Sequence, residues 1–180
     1  MASDPTSMDP AGVNGALPEG GPGTGDAPQV AALAQYVKDL SVENPSAPQV
    51  FQWNEQPSLD VQFNIQVNKV ADEVHEVVLK IDASARSTSG VQFVLDLSYA
   101  GIFGLRNLPE DQLPAFLLVE APRLLFPFAR QVVASATQDA GFPPLMLDPI
   151  DFAGIYLAQV EQQQAGEGLG EQPQGERTVQ

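Results

Sequence analysis

Between Leu59 and Lys69 the chain reads LDVQFNIQVNK, in which Leu59, Val61, Phe63, Ile65 and Val67 alternate without a break with Asp60, Gln62, Asn64, Gln66 and Asn68. Successive side chains of an extended backbone point to opposite sides, so this pattern predicts a β-strand with one buried and one wet face. Such a strand needs neighbours of the same kind, and the chain supplies them. After a polar break at ADE, VHEVVLKIDASAR places Val77, Leu79, Ile81, Ala83 and Ala85 on one face, with Glu76, Lys80, Asp82 and Arg86 mostly opposite. The two segments predict an antiparallel hairpin. The turn signal STSG then leads into VQFVLDLSYAGIF, with Val91, Phe93, Leu95, Leu97 and Tyr99 inward and Gln92, Asp96 and Ser98 outward; Val94 is the exception. Upstream, VAALAQYVKDLSVE alternates less cleanly, with Tyr36, Leu40 and Val42 on one side and Asp39, Ser41 and Glu43 on the other, and predicts a fourth strand. The connection NPSAPQVFQWNEQP carries three prolines along with Val50, Phe51 and Trp53, as expected of a loop laid over apolar surface.

Beyond Gly101 the period becomes helical. LPEDQLPAFLLVEAP puts proline and acids at a helix start, where they suit the positive end of the helix dipole, and Leu113, Phe116 and Leu117 follow. The pattern predicts one short helix that restarts at Pro122. The second helix carries Leu125, Phe128, Ala129, Val132 and Ala136 on its apolar face and ends at Gly141 in a left-handed cap. FPPLMLDP reads as extended, and a last helix capped by Asp151 presents Phe152, Ile155, Tyr156 and Val160. Strands followed by helices predict an α+β domain, a four-stranded antiparallel sheet with helices packed on one side and a polar, acidic opposite face.

The most apolar stretch, AFLLVEAPRLLFPFARQVV, has the length of a membrane span, but Glu120, Arg123 and Arg130 would each cost about 2.5–3.5 kcal/mol at a bilayer centre. It is therefore read as core helix. Residues 1–27, rich in Gly, Pro, Ala and Asp, are expected to form a disordered arm, and 165–180 a mobile acidic Gly/Gln-rich tail, which leaves 28–164 as the folded domain. MASDPTSMDP lacks the basic and apolar regions of a secretory signal, so a cytoplasmic location is expected.

Eight Lys plus Arg against 23 Asp plus Glu leave a formal charge of −15, which repels nucleic acid and anionic membranes and favours a basic protein partner. The chain has no Cys and a single His, so thiol chemistry is absent and zinc ligation has little to draw on. His75 lies beside Glu73 and Glu76 with no identifiable nucleophile; Asp148, Asp151 and Glu161 are dispersed; GEGLGEQPQG follows no strand and is no phosphate loop. No catalytic site, metal or cofactor is expected. Two features stand out instead: more apolar surface than a domain of this size needs for its own core, and acids at Asp39, Glu43 and Asp96 on the outer face of the sheet.

The segments LLFPFARQVV, GFPPLMLDPIDFAGIYLAQVEQQQAGEG, AGIFGL, YVKDLSVENPSAPQVF and the QP before the long strand closely resemble those of the SecB protein-export chaperones, in the family's order and from about Val30 to Gly168. The resemblance implies a dimer of dimers that binds unfolded precursor proteins without ATP, keeps them competent for translocation and delivers them to the SecA motor. It implies a client groove at Phe51, Trp53, Leu59, Val61, Phe63, Phe152 and Tyr156, with the C-terminal helix as a lid. It implies SecA docking at Asp39, Glu43 and Asp96, onto a basic, zinc-bearing SecA segment, and an oligomer interface at Leu125, Phe128 and Val132. The C-terminal tail is a second, weaker contact with SecA in this picture. SecB-like chaperones that guard a toxin-antitoxin pair supply the alternative function. One departure is evident: the tryptophan that commonly precedes QP is Glu55 here, with Trp53 two positions earlier.

Overall fold

In a computed structural model, residues 27–167 are described, with side chains to residue 162. The arm expected at 1–27 and the tail expected at 165–180 lie almost wholly outside this range.

Four strands are present: β1 (Gln29–Glu43), β2 (Ser58–Ala71), β3 (Val74–Ser87) and β4 (Gly90–Arg106). All pairings are antiparallel, in the order β1-β4-β3-β2. Strands β2, β3 and β4 form a meander, and β1 returns to the far side of β4, which makes the sheet a Greek key. The connection from β1 to β2 must therefore cross β4 and β3, about 14 Å at the usual strand spacing.

Register turns the alternation into rows across the sheet. Phe63, Ile81, Leu97 and Leu40 make one inner row, Val61, Ala83, Leu95 and Val42 the next, and Ile65, Leu79, Tyr99 and Val37 a third. Apart from Val37 and Leu40, which stay exposed at the β1 edge, these rows build the core together with Phe103, Leu117, Leu125, Phe126, Ala129, Val133, Leu147 and Phe152. Strand β1 departs from the simple pattern because register shifts at Ala32/Ala34 and Val37/Asp39 change its phase. Tyr36, expected to share a face with Leu40, instead pairs with Ala100 on the outer face, where its hydroxyl donates to Glu76. An extra residue in one strand reverses the direction of every side chain that follows it.

The helical segment does not restart at Pro122. A first turn, α1 (Leu113–Ala115), leads into a π turn (Phe116–Glu120) and directly into α2 (Ala121–Asp139). The Ala121 N–H donates to the Phe116 carbonyl, five residues back. Proline lacks a donor and its ring crowds the carbonyl four residues earlier. A turn widened by one residue just ahead of Pro122 accommodates both effects, so the helix path continues. Pro127 lies inside α2 and forfeits another bond, at a cost of about 3 kcal/mol. Burial of Leu125, Phe126 and Val133, at roughly 1.5–3 kcal/mol each, more than offsets it.

Helix α2 ends as predicted, at Gly141 with φ 92°. The Phe142 N–H donates to the Thr137 carbonyl and the Gly141 N–H to the Gln138 carbonyl, the paired bonds of a Schellman cap. Thr137 is fully buried; its hydroxyl donates to the Val133 carbonyl at 3.0 Å and accepts from the Leu145 N–H at 2.9 Å, which pins the following connection to the helix. Asp151 caps α3 (Phe152–Glu167) by accepting from the Gly154 N–H at 3.0 Å. No described helix is long and apolar enough to cross a membrane.

Candidate binding faces

Of the seven residues expected to line a groove, Phe63, Phe152 and Tyr156 gather at one locus and Phe51 at a second, Leu59 and Val61 lie along β2, and Trp53 stands apart. At one end, Phe63 from β2 and Phe152 from α3 both meet Phe126 of α2 edge to face, with ring centroids 6.3 and 6.0 Å away. Phe63, Asn64 and Ile65 of β2, Leu118 of the π turn and Phe152, Ile155, Tyr156 and Gln159 of α3 line a recess of about 130 Å³. At the other end, Phe51 sits on Phe142, 5.8 Å between centroids, and Phe142 sits on Phe93 at 5.1 Å. Between the loci the sheet presents exposed Leu59 and half-buried Val61. Leu59 and Phe63 are four residues apart on β2, about 13 Å along the strand. That is the length of a four-residue extended segment.

Trp53 belongs to neither aromatic stack. It lies over the β3–β4 turn, where a Cβ at Gly90 would come within 3.2 Å of its ring. Phe93, Phe126, Phe142, Ile65 and Leu118 complete the two loci and are not among the groove residues expected from the sequence, although Ile65 and Phe93 were read as inward-facing. Phe142 carried a signal, as the aromatic residue directly after a glycine cap. Phe126 carried none, because a phenylalanine between two other apolar helix residues reads equally well as buried or exposed.

The interface residues are separated by the structure. Leu125 is fully buried against β4, and a Cβ at Gly101 would lie 2.7 Å from its Cδ2. It is a core residue with no surface to offer another subunit. Phe128 is 53% exposed and Leu124 48%, while Val132 is half-buried. The buried face of α2 is centred on Pro122, Leu125, Phe126, Ala129 and Val133, which turns Phe128 outward.

On the opposite side of the sheet the three acids come together. Asp39 pairs with Ser98, Ser41 with Asp96 and Glu43 with Val94, so Asp39 and Glu43 flank the row that holds Asp96. Asp82 faces Asp96 directly across β3 and β4. Lost hydration first, and the Asp96 carboxyl second, raise the Asp82 pKa above its ordinary value. Further along this face Glu76 is buried and accepts from the Lys38 Nζ at 2.8 and 2.9 Å, from Asn68 at 3.0 Å and from the Tyr36 hydroxyl. These bonds, from Lys38 first and Tyr36 second, hold its carboxyl at about 2. Val78 and Ala100 are also buried here, so the outer face is less uniformly polar than its alternation implies.

His75 pairs with Phe103 on β4 and Lys69 on β2, and burial followed by the Lys69 charge lowers its pKa. Among the described residues no group of three or more His, Asp or Glu side chains is placed to hold a metal ion.

An antiparallel sheet with an apolar trough on its helix-backed face and gathered carboxylates on the other defines an α+β binding module with two chemically opposite surfaces. A family model described as preprotein translocase subunit SecB matches residues 24–163. A protein-export protein SecB of Sphingopyxis alaskensis is 54% identical over 83% of this chain and 86% of its own length. Relatives of the same description from Rhizorhabdus wittichii (57% identity, 83% of this chain, 89% of theirs) and Erythrobacter litoralis (52%, 91% and 88%) agree. The chain belongs to the SecB family of protein-export chaperones. A Mycobacterium tuberculosis SecB-like chaperone, solved with a peptide of an antitoxin, shares the fold with a TM-score of 0.56 at 17% identity, over 67% of this chain and 90% of that one.

Proposed function

We propose that this chain is an ATP-independent cytoplasmic chaperone, without catalytic activity or cofactor, that holds unfolded precursor proteins on its apolar face and passes them to SecA through its acidic face. The observation that carries this reading is the separation of the two surfaces onto opposite sides of one sheet. Apolar side chains make no directional demands, so a trough lined by Leu59, Val61, Phe63 and the two aromatic loci suits many sequences, at roughly 25 cal/mol per Å² of apolar area removed from water. Each short contact is weak. A long client that engages several troughs of one assembly gains retention through effective concentration, without nucleotide hydrolysis.

Exposed apolar side chains support the assembly as a dimer of dimers. Strand β1 is a free sheet edge with Val30, Leu33, Val37 and Leu40 exposed, a hazard in an isolated subunit and a pairing surface for a second copy. Leu124 and Phe128 on α2 are a further apolar surface for subunit contact. Asp39, Glu43 and Asp96 form the docking surface for a basic segment of SecA, attached by charge and therefore weakened by salt. Native mass spectrometry, with and without an unfolded precursor, tests the reading: a tetramer that takes up the precursor is expected, and a monomer that takes up none overturns it.

A further inference from the structure

The connection from β1 to β2 crosses the end of the sheet where β3 turns into β4. Its first half is braced by its own backbone, with the Val50 N–H donating to Ser46 at 2.9 Å and the Trp53 N–H to Val50 at 3.1 Å, and by the buried Val50 side chain. Its second half is held by the side chain of Glu55. One Glu55 oxygen accepts from the Ser89 hydroxyl at 2.9 Å and the other from the Ser89 N–H at 3.1 Å. The Thr88 hydroxyl, then the Ser89 backbone and hydroxyl, lower the Glu55 carboxyl to about 2, so it is a full anion with both oxygens available at neutral pH.

Two glycines receive the rings of the same connection. Gly90, with φ 146°, leaves room for Trp53, whose Cη2 would lie 3.2 Å from a Cβ there. Gly141, with φ 92°, leaves room for Phe51, whose Cε1 would lie 2.9 Å from a Cβ. Phe51 stays 56% exposed although it rests on Phe142. The connection thus bridges a hairpin tip and a helix end, and its outer ring forms one wall of the trough.

From this geometry, and resting on the chaperone reading above, we propose that Glu55 is a positioning residue for client binding: through Ser89 it ties the connection to the β3–β4 turn and so holds Trp53 and Phe51 in place as the wall of the apolar trough. Glu55 is exposed and supports no part of the core, so its loss leaves the fold standing while loosening Trp53 and, through the short turn that Trp53 closes on Val50, the Phe51 ring. A mobile wall must be ordered again each time a client binds, and that ordering weakens affinity.

Trp53 is the only tryptophan, so its emission reports the wall directly. The full-length chain and its Glu55→Ala, Glu55→Gln and Ser89→Ala variants would be compared for Trp53 emission, unfolding midpoint and binding of a fluorescein-labelled 20-residue synthetic peptide rich in Leu and Phe with Lys at both ends. Glu55→Ala is expected to red-shift the emission and weaken peptide binding about three- to tenfold, mainly by faster dissociation, with the unfolding midpoint unchanged. Glu55→Gln, which keeps one oxygen acceptor, recovers part of the affinity, and Ser89→Ala, which keeps the N–H donor, loses less than Glu55→Ala. Unaltered emission in Glu55→Ala overturns the proposal, as does altered emission with undiminished affinity. A wild-type chain that fails to bind the peptide overturns the chaperone reading instead, and the emission still judges whether Glu55 holds the wall.

Discussion

At the scale of single residues, Glu76 links more of the sheet than any other outer-face carboxylate. It takes bonds from Tyr36 and Lys38 of β1 and Asn68 of β2, and so connects both edge strands to β3. Replacing it with Gln keeps the shape and removes the charge, leaving Lys38 without its ion-pair partner. We expect Glu76→Gln to cost about 1–3 kcal/mol at pH 7, measured by urea denaturation. The pH dependence has a definite sign. Because the native carboxyl titrates near 2 against an ordinary 4.5, its contribution is complete above 4.5 and is lost as pH falls towards 2. The variant should lose that part of the acid dependence. His75 acts in the same acidic direction but earlier. Its native pKa is lowered, so the unfolded chain takes up the proton first, and stability should begin to fall as pH drops through 6.5. His75→Gln should remove this component from the denaturation midpoint between pH 7 and 5.

At the scale of elements, α2 stays on the sheet because one strand gives way to it. Gly101 lets Leu125 approach β4, since a Cβ there would lie 2.7 Å from Leu125 and 2.9 Å from the Phe103 ring. Leu125→Ala should cost about 2–5 kcal/mol and Gly101→Ala about 1–3 kcal/mol. Combined, they should cost less than their sum, because the added methyl group occupies space that the shortened side chain vacates; strict additivity in a double-mutant cycle would refute this packing account. Phe128→Ser, on the outer side of the same helix, should change subunit number while the stability of the fold changes little. The π turn belongs to this scale too. Pro122 was expected to end a helix, and it does restrict the backbone, but a single widened turn satisfies the restriction at lower cost than two new helix ends with their unpaired groups.

At the scale of the whole molecule, the proposed reading assigns one function to each face of the sheet. Val61→Asp combined with Phe51→Ser should weaken binding of an unfolded client at least tenfold and leave SecA affinity unchanged, because Val61 lies on the helix-backed face and Phe51 rests on Phe142, whereas the acids face away. Asp39→Lys should do the reverse, lowering SecA affinity and flattening its dependence on salt while client binding persists; titrations at several ionic strengths would read both effects. If the double substitution and Asp39→Lys each impaired both activities equally, the assignment of one function to each face would fail.

Much of this architecture was legible along the chain because its signals are local. The unbroken alternation from Leu59 to Val67 specifies a two-faced strand, Gly141 a left-handed cap and Asp151 a helix start, each through conformations that neighbouring residues dictate. The acids at Asp39, Glu43 and Asp96 were placed on one face by phase alone, and the register brings them together. What escaped depends on segments distant in sequence. The position of β1 beside β4, the bulges that turn Tyr36 outward, the burial of Leu125 in place of Phe128 and the convergence of three polar side chains on Glu76 all arise from packing between such segments. Periodicity records which way a side chain points relative to its neighbours in the chain, whereas the partner it meets is selected by the free energy of closing loops and filling space between elements, to which no short stretch of sequence corresponds.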